Sequence, residues 1–171
     1  KTLYAKILHH EGKRGLNNFL IVDCESKDIE KLEKQLFGPE EDECAFTSIK
    51  GGTVILHEIH HLTFEMQEKL FKILQDKGLE GGRMSFDTRI ISTSSKDLGQ
   101  AANNGEFNKH LFEYLSTAFV HMEPLRRRID DIELLVDYFL KLECKKQGLL
   151  LKNFSPKAID KMKEHDWPGN V

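Results

Sequence analysis

Cysteine is scarce in this sequence, and its pattern excludes a disulfide-based fold. The 171 residues contain three cysteines, Cys24, Cys44 and Cys144. Because their number is odd and no CxxC pair occurs, we expect neither a disulfide framework nor a paired-cysteine metal site. The cysteine pattern therefore predicts reduced thiols in a cytoplasmic protein.

Long apolar runs and an excess of positive charge are also absent. No apolar run approaches the roughly 20 residues of a membrane-spanning helix, and no signal-peptide pattern is present, so we expect no membrane partner. The formal net charge is -3, which does not fit a surface that binds nucleic acid by electrostatics. Any DNA binding is therefore expected to use a separate segment.

Short apolar runs alternate with helical patterns along the chain. The predicted strands are residues 19–22, 53–56, 88–93 and 118–122. The predicted helices are residues 1–10, 28–36, 63–75, 107–115, 130–147 and 156–165, with another near residue 101. Residues 37–50 are expected to form an acidic loop, and glycines in 78–82 to end a helix. Buried strands that alternate with helices predict an α/β domain with a parallel sheet.

Residues 51–62 carry two possible interpretations. His57-Glu58-x-x-His61 matches the HExxH string of zinc metallopeptidases. The same residues follow the predicted strand 53–56, which would deliver His57 and Glu58 to its carboxyl end, as a P-loop ATPase presents its Walker B acids.

The zinc interpretation requires a helix, because both histidines must lie one turn apart on the same face. Here a β-type run precedes the motif, and the helical pattern begins only at Thr63. We therefore expect His57 to end a strand, and His60 and His61 to lie in an exposed turn. No metal site is expected, and a zinc-dependent hydrolase is the remote alternative.

The start of the chain fits the end of a phosphate-binding loop. Lys1 and Thr2 match the last two residues of GxxxxGK[ST]. In that motif the lysine reaches the β- and γ-phosphates and the hydroxyl meets Mg²⁺. Two residues alone fit the exposed start of any helix equally well.

Several segments, in matching order, resemble the AAA+ domain of sigma-54-dependent transcriptional activators. These segments are residues 36–38, 51–59, 70–75, 87–91, 124–132 and 154–156, together with the closing Trp-Pro-Gly-Asn-Val. The resemblance implies a P-loop NTPase fold, a three-layer α/β/α arrangement around a parallel sheet. It implies an AAA+ core at residues 1–122, starting at the end of Walker A, and the start of a helical lid at residues 123–171.

The resemblance also implies ligands and partners. ATP or ADP is the expected nucleotide, and the expected assembly is a homo-oligomer between a dimer and a hexamer. RNA polymerase holoenzyme is the expected target, with DNA contacted through a separate helix-turn-helix domain. Family members are often response regulators of two-component systems.

The chain departs from the family at the catalytic positions. His57 stands where the family has the Walker B Asp, so Mg²⁺ is expected to bind weakly or not at all. Glu58 is retained as a vestigial Walker B Glu. Asp23 aligns with the Asn that acts as a switch for this Glu, and a carboxylate there is expected to repel it.

Further departures affect nucleotide sensing and subunit contacts. Ser94 and Ser95 align with the Thr-Asn of sensor I and are expected to lie at the nucleotide. Asn108 and Tyr114 occupy the positions of the two arginine fingers, each worth about 10³ to 10⁵ in rate. The family's sigma-54-contact loop is also missing after residues 36–38.

Taken with these departures, the resemblance favours a regulatory domain that binds nucleotide and hydrolyses little. Some degenerate relatives respond to cyclic di-GMP, and Arg14, Arg126 and Arg127 are candidate contacts for its phosphates. Alternatively, the arginines pair with Asp130 and Asp131. A slow but active ATPase that remodels sigma-54 RNA polymerase is the other interpretation, motivated by Glu58 and Lys1.

Overall fold

The computed structural model describes residues 1–38, 44–76 and 87–170. Its helices are α1 Thr2–His10, α2 Ile29–Phe37, α3 Ala45–Ser48, α4 Phe64–Asp76, α5 Leu98–Asn103, α6 Lys109–Leu115, α7 Asp131–Gln147 and α8 Pro156–Lys163. Its strands are β1 Phe19–Asp23, β2 Thr53–His57 and β3 Arg89–Ser92. Two 3₁₀ turns cover Ile59–His61 and Leu125–Arg127. The expected end of a helix at 78–82 and the acidic residues 39–43 lie outside the described residues.

The three strands form a parallel sheet in the order β1-β2-β3. The first four residues of β2, Thr53 to Leu56, are fully buried, because neighbouring strands and packed helices surround the centre of the sheet. The α/β fold and the three strands are confirmed. In β1 only Val22 is fully buried, so the prediction that residues 19–22 are buried throughout is wrong. Within the described residues β1 is an edge strand, paired only with β2. Its side chains are therefore more exposed to solvent than those of β2.

Polar caps and apolar stripes set the helices where the sequence predicts them. The hydroxyl of Thr63 accepts a hydrogen bond from the Met66 amide at 3.3 Å. At α8, Ser155 accepts from the Ala158 amide at 3.3 Å and Pro156 follows as the first helical residue. Side-chain oxygens placed in this way satisfy amides that the first turn leaves unpaired.

Helix α1 is fixed against the sheet by a buried histidine. His9 is fully buried, its Nδ1 lies 2.8 Å from Thr53 Oγ1, and its Nε2 lies 3.1 Å from the Asn17 carbonyl. Both ring nitrogens are therefore paired, as a buried polar group requires. At the opposite end of α1, Lys1 Nζ donates to the Ser94 carbonyl at 2.6 Å, just beyond the end of β3. Helix α1 thus runs against the strand direction and presents Lys1 at the carboxyl edge of the sheet.

Two predicted segments differ from the observed structure. Residues 118–122 form no strand, and Phe119 and Val120 are exposed at 71% and 72%. An apolar run becomes a strand only beside a hydrogen-bonding neighbour, and the described sheet offers this run none. The predicted loop 37–50 contains the short helix α3, which buries Phe46 in the core.

The chain divides into two compact units, residues 1–119 and residues 120–171. The first contains the sheet and α1 to α6. The second contains α7 and α8, where Lys163 contacts Glu133 at 3.2 Å and Trp167 Nε1 donates to the Met162 carbonyl at 2.7 Å. The boundary expected after residue 122 stays a prediction. Among the described residues, no helix is long and apolar enough to cross a membrane.

The entry to β2 provides a test of this packing. A Cβ built on Gly52 would lie 2.0 Å from Ile49 Cγ2 and 2.2 Å from the Asn18 carbonyl oxygen. Because a backbone atom must move to admit it, Gly52→Ala is expected to lower the free energy of unfolding by about 2 kcal/mol. Urea titration of the full chain measures the change. Gly169→Ala is the control, since a Cβ there meets nothing within 4 Å, and equal stability of the two variants would contradict the prediction.

Candidate functional site

Polar side chains converge at the carboxyl edge of the sheet. Strand β2 ends at His57 and is followed by Glu58. Strand β3 ends at Ser92 and leads into Ser94. Since parallel strands end at one edge, these residues meet there, and Lys1 reaches the same place through its bond to the Ser94 carbonyl. Ligands of open α/β sheets bind at this edge.

The backbone of Glu58 is left-handed, with φ 52° and ψ 53°. A non-glycine residue in this conformation costs on the order of 1–3 kcal/mol, a cost that proteins retain mainly at functional sites. Thr93 holds the turn, because its hydroxyl accepts from the Glu58 amide at 3.3 Å and its carbonyl accepts from the Ile59 amide at 2.9 Å. The direction of the Glu58 side chain is fixed as a result.

The Glu58 carboxylate is shielded, hydrogen-bonded to Ser95 and close to His60. Its side chain is 13% exposed. Its Oε2 accepts from the Ser95 amide at 2.6 Å and lies 3.3 Å from His60 Nδ1. Burial acts to raise the pKa of Glu58, but hydrogen bonding from Ser95 and the positive charges of Lys1 and His60 outweigh burial and lower it. Glu58 is therefore ionised at neutral pH.

His60 is a residue of this edge whose position the sequence pattern does not predict. The expectation of an exposed turn is correct for His61 but wrong for His60, whose side chain is 7% exposed. Burial lowers the pKa of His60, and the charges of His61 and Lys96 act in the same direction, against Glu58. No sequence pattern separates the two histidines, since the 3₁₀ turn alone decides which ring faces inward.

The tautomer of His60 follows from its neighbours. Its Nδ1 lies 3.2 Å from the Ser94 hydroxyl oxygen. That hydroxyl donates its own hydrogen to the Lys96 carbonyl at 2.8 Å, so toward His60 it acts as an acceptor. The hydrogen of the neutral ring therefore lies on Nδ1, which also faces the Glu58 carboxylate.

Asp23 lies against His57. The two residues are paired in register on β1 and β2, and His57 Nδ1 is 3.4 Å from Asp23 Oδ1. The same carboxylate oxygen accepts from the Glu25 amide at 3.1 Å. Strand register thus gives Asp23 the imidazole as its neighbour, while the left-handed turn directs Glu58 toward Ser95. The expected repulsion between Asp23 and Glu58 stays a prediction.

The two arginine-finger positions have different surroundings. Asn108 is buried, its side-chain oxygen caps α6 by accepting from the Leu111 amide at 3.0 Å, and its own amide donates to Gln67 at 2.7 Å. Tyr114 is 43% exposed, with its ring 6.5 Å from that of Phe71. Asn108 thus contributes to folding of the helix, and neither residue carries the charge of an arginine.

Arg14 is engaged in the first unit. It donates to the Asp87 carbonyl at 3.0 Å and also contacts the Asp87 carboxylate. The hydrogen bond to that carboxylate raises the pKa of Arg14.

The other candidate arginines lie in the second unit. Arg127 contacts Glu123 at 3.2 Å. Arg126 is exposed in the Leu125–Arg127 turn. The alternative pairing at the start of α7 is observed for Arg128, which contacts Asp131 at 3.1 Å. Of the three arginines that were expected to contact phosphate, Arg14 and Arg127 are therefore each paired with an acidic residue.

The HExxH residues do not share a helix. His57 is the last residue of β2 and His61 the last of a 3₁₀ turn, so the side-by-side arrangement that zinc peptidases need is not formed. In the described ranges, no group of three or more histidines, cysteines and acids is placed to hold a metal ion.

Comparison with known proteins gives consistent matches over the whole chain. The sigma-54 interaction domain matches residues 1–121, and an AAA+ ATPase lid domain matches residues 126–171. The DNA-binding transcriptional regulator NtrC of Azospirillum brasilense is 34% identical over 184 residues, covering 100% of this chain and 38% of that protein. The transcriptional regulatory protein ZraR of Salmonella typhimurium strain LT2 is 30% identical, covering 100% of this chain and 42% of that protein.

A solved structure agrees with these matches. NtrX from Brucella abortus, crystallised in complex with ATP, superposes with a TM-score of 0.86 at 31% identity and covers 99% of this chain and 41% of that one. The chain thus spans well under half the length of the relatives it matches.

The shifted pKa of Glu58 predicts a pH-dependent contribution to stability. Because its pKa in the folded chain lies below the ordinary value of 4.5, the stabilisation is fully present above about pH 4.5 and is lost as pH falls through the lower folded value. Between pH 5 and pH 3, the free energy of unfolding of the wild type is therefore expected to fall further than that of Glu58→Gln. Denaturant titrations at each pH measure this. Glu68→Gln, at an exposed position on α4, should follow the wild type, and parallel curves for wild type and Glu58→Gln would refute the argument.

Proposed function

Since the chain belongs to the sigma-54 interaction domain family, we propose that it is a nucleotide-binding regulatory domain of a bacterial transcription regulator with little or no capacity to hydrolyse ATP. The observation that carries this proposal is His57 at the end of β2, the position where the family resemblance implies a Walker B acid. The nucleotide would lie at the carboxyl edge of the sheet. There it would control oligomerisation or the output of a DNA-binding domain.

The arrangement around α1 supports phosphate binding. Lys1 is exposed and lies at the amino-terminal end of a nine-residue helix. Unpaired amides and the helix dipole favour an anion at such an end. Thr2 follows in the first turn and supplies a hydroxyl. The Brucella abortus relative was crystallised with ATP and with ADP, which supports either nucleotide as the ligand.

The donor set supports nucleotide binding better than Mg²⁺ binding. Mg²⁺ prefers carboxylate and water oxygens, yet the strand-end position carries His57. Asp23 is engaged with that imidazole at 3.4 Å, and Glu58 with the Ser95 amide at 2.6 Å. The residues present therefore do not fit the metal, and we derive no hydrolytic step through it.

The finger positions support the same conclusion. Asn108 and Tyr114 supply no positive charge to stabilise a phosphoryl-transfer transition state. In a homo-oligomer, these two positions would therefore bring no arginine to a neighbouring nucleotide, and an arginine finger is worth about 10³ to 10⁵ in rate. Nucleotide binding without hydrolysis fits a regulatory domain better than an ATPase that remodels RNA polymerase.

The wider assembly forms part of the proposal. We assign residues 1–122 to the AAA+ core and residues 123–171 to the start of the lid. The partners would be further copies of the chain, RNA polymerase holoenzyme, and DNA through a separate helix-turn-helix domain, in a cytoplasmic response-regulator setting. Ser94 and Ser95 would lie near the terminal phosphate as the sensor I pair.

A slow ATPase is the second candidate. One observation favours it: Glu58 is ionised and firmly oriented, as a residue that polarises water must be. This candidate requires ATP turnover that disappears in Glu58→Gln. The regulatory proposal requires that Glu58→Gln leave phosphate release unchanged, because the wild type hydrolyses little or no ATP.

Calorimetric titration tests nucleotide binding. ATP and ADP are expected to bind the full chain, and Lys1→Ala is expected to weaken ATP binding at least about tenfold, the loss of one charge-assisted contact to phosphate. Lys6→Ala, on the same helix α1, changes the charge equally and should stay within about twofold. Equal effects of the two variants, or no heat of binding with the wild type, would contradict the proposal.

Cyclic di-GMP is tested in the same titration. If it is the regulatory ligand, the double variant Arg126→Ala and Arg127→Ala should weaken its binding while leaving ATP binding unchanged, since arginine forks suit phosphate oxygens. Arg14→Ala tests the remaining candidate contact. Binding that survives all three substitutions would remove these arginines from the site.

A further inference from the structure

The Glu58 carboxylate contacts two groups in the segments that follow β2 and β3, the His60 ring and the Ser95 amide. Its Oε2 lies 3.3 Å from His60 Nδ1 and 2.6 Å from the Ser95 amide. Both side chains are shielded from water, at 13% exposure for Glu58 and 7% for His60. The Ser95 contact is a hydrogen bond, and in a shielded place the nearby His60 ring also acts strongly on the carboxylate because the local dielectric is low.

His60 is itself held by a locked serine. The Ser94 hydroxyl donates to the Lys96 carbonyl at 2.8 Å and accepts from the Lys96 amide at 3.1 Å. It also accepts from His60 Nδ1 at 3.2 Å. These three bonds fix the orientation of the hydroxyl, and through it the orientation of the imidazole.

The same serine is bound by Lys1. Lys1 Nζ donates to the Ser94 carbonyl at 2.6 Å. A continuous chain of contacts therefore leads from the Lys1 ammonium through Ser94 and His60 to the Glu58 carboxylate. An anion that binds the Lys1 ammonium competes with the Ser94 carbonyl for it. The hydrogen bond from Lys1 to Ser94 is then weakened or broken, so Ser94 is the first residue of this chain of contacts to change its surroundings.

We propose that His60 is the positioning residue of Glu58, and that it relays occupancy of the phosphate site from Lys1 through Ser94. The relay rests on the proposed function, which places nucleotide phosphate at Lys1; the positioning role rests on geometry alone. Asp23 takes no part, because its carboxylate contacts His57 and the Glu25 amide. In this chain the switch has thus moved from β1 to the turn that follows β2.

Imidazole ¹⁵N NMR of the full chain tests the positioning role without nucleotide. The His60 signals are identified by their loss in His60→Asn. Glu58→Gln, which removes the charged neighbour of Nδ1, is expected to shift the His60 Nδ1 resonance, and Ser94→Ala is expected to shift it as well. Asp23→Asn removes a carboxylate from the same sheet edge and is the matched control, with His110 as a distant internal reference. If Glu58→Gln moves the His60 signal no more than Asp23→Asn does, the positioning role is overturned.

Hydrogen exchange provides an independent readout of the same role. His60→Ala is expected to speed exchange of the amides of residues 94–96 by about tenfold, because a loosened carboxylate no longer protects the Ser95 amide. His60→Asn keeps an amide nitrogen near the position of Nδ1 and should restore protection to within about twofold of the wild type. If His60→Ala is folded and His60→Asn does not restore protection, His60 contributes only packing and the positioning role is overturned.

ATP with EDTA tests the relay. Calorimetry first establishes whether ATP binds, and that result judges the proposed function by itself. If ATP binds and shifts the His60 resonance in the wild type, with the shift reduced in Ser94→Ala, the relay is supported. If ATP binds and leaves His60 unmoved, the relay is overturned while the proposed function stands. If ATP does not bind, the proposed function and the relay both fail, and the experiments without nucleotide still decide the positioning role.

Discussion

The left-handed backbone of Glu58 is the constraint on which the carboxyl edge of the sheet depends. It ends β2 abruptly, and the two hydrogen bonds that Thr93 accepts from the Glu58 and Ile59 amides hold it in place. The turn directs the Glu58 carboxylate to the Ser95 amide and brings the His60 ring beside it. It also leaves His57 as the last strand residue, in register with Asp23. An ordinary extended residue at position 58 would place each of these groups elsewhere.

This arrangement orients a glutamate beside a position that carries His57, where the family resemblance implies an acid. The Ser95 amide donates to the Glu58 carboxylate and the His60 ring lies beside it, and neither contact involves the residue at position 57. Lys1 is linked to the same segment through the Ser94 carbonyl. Under the proposed function, nucleotide binding at Lys1 would therefore not depend on the residue at position 57.

Much of the fold follows from the sequence because the signals are local. The apolar run of β2 and the capping residues of α4 and α8 each depend on a few adjacent residues, and all are correctly predicted. Residues 118–122 were predicted to form a strand and do not. Strand formation depends on a neighbouring strand that local sequence does not reveal. The site is divided in the same way. The position of His57 follows from the strand pattern, whereas the burial of His60 and the pairing of Asp23 depend on a turn conformation that no residue type in the segment specifies.

The central claim, nucleotide binding without turnover, is tested most directly by phosphate release at saturating ATP and Mg²⁺, measured across chain concentrations that allow self-association. A domain that binds nucleotide without turnover should release phosphate no faster than Glu58→Gln at every concentration. Phosphate release that rises with self-association and is abolished by Glu58→Gln would contradict it.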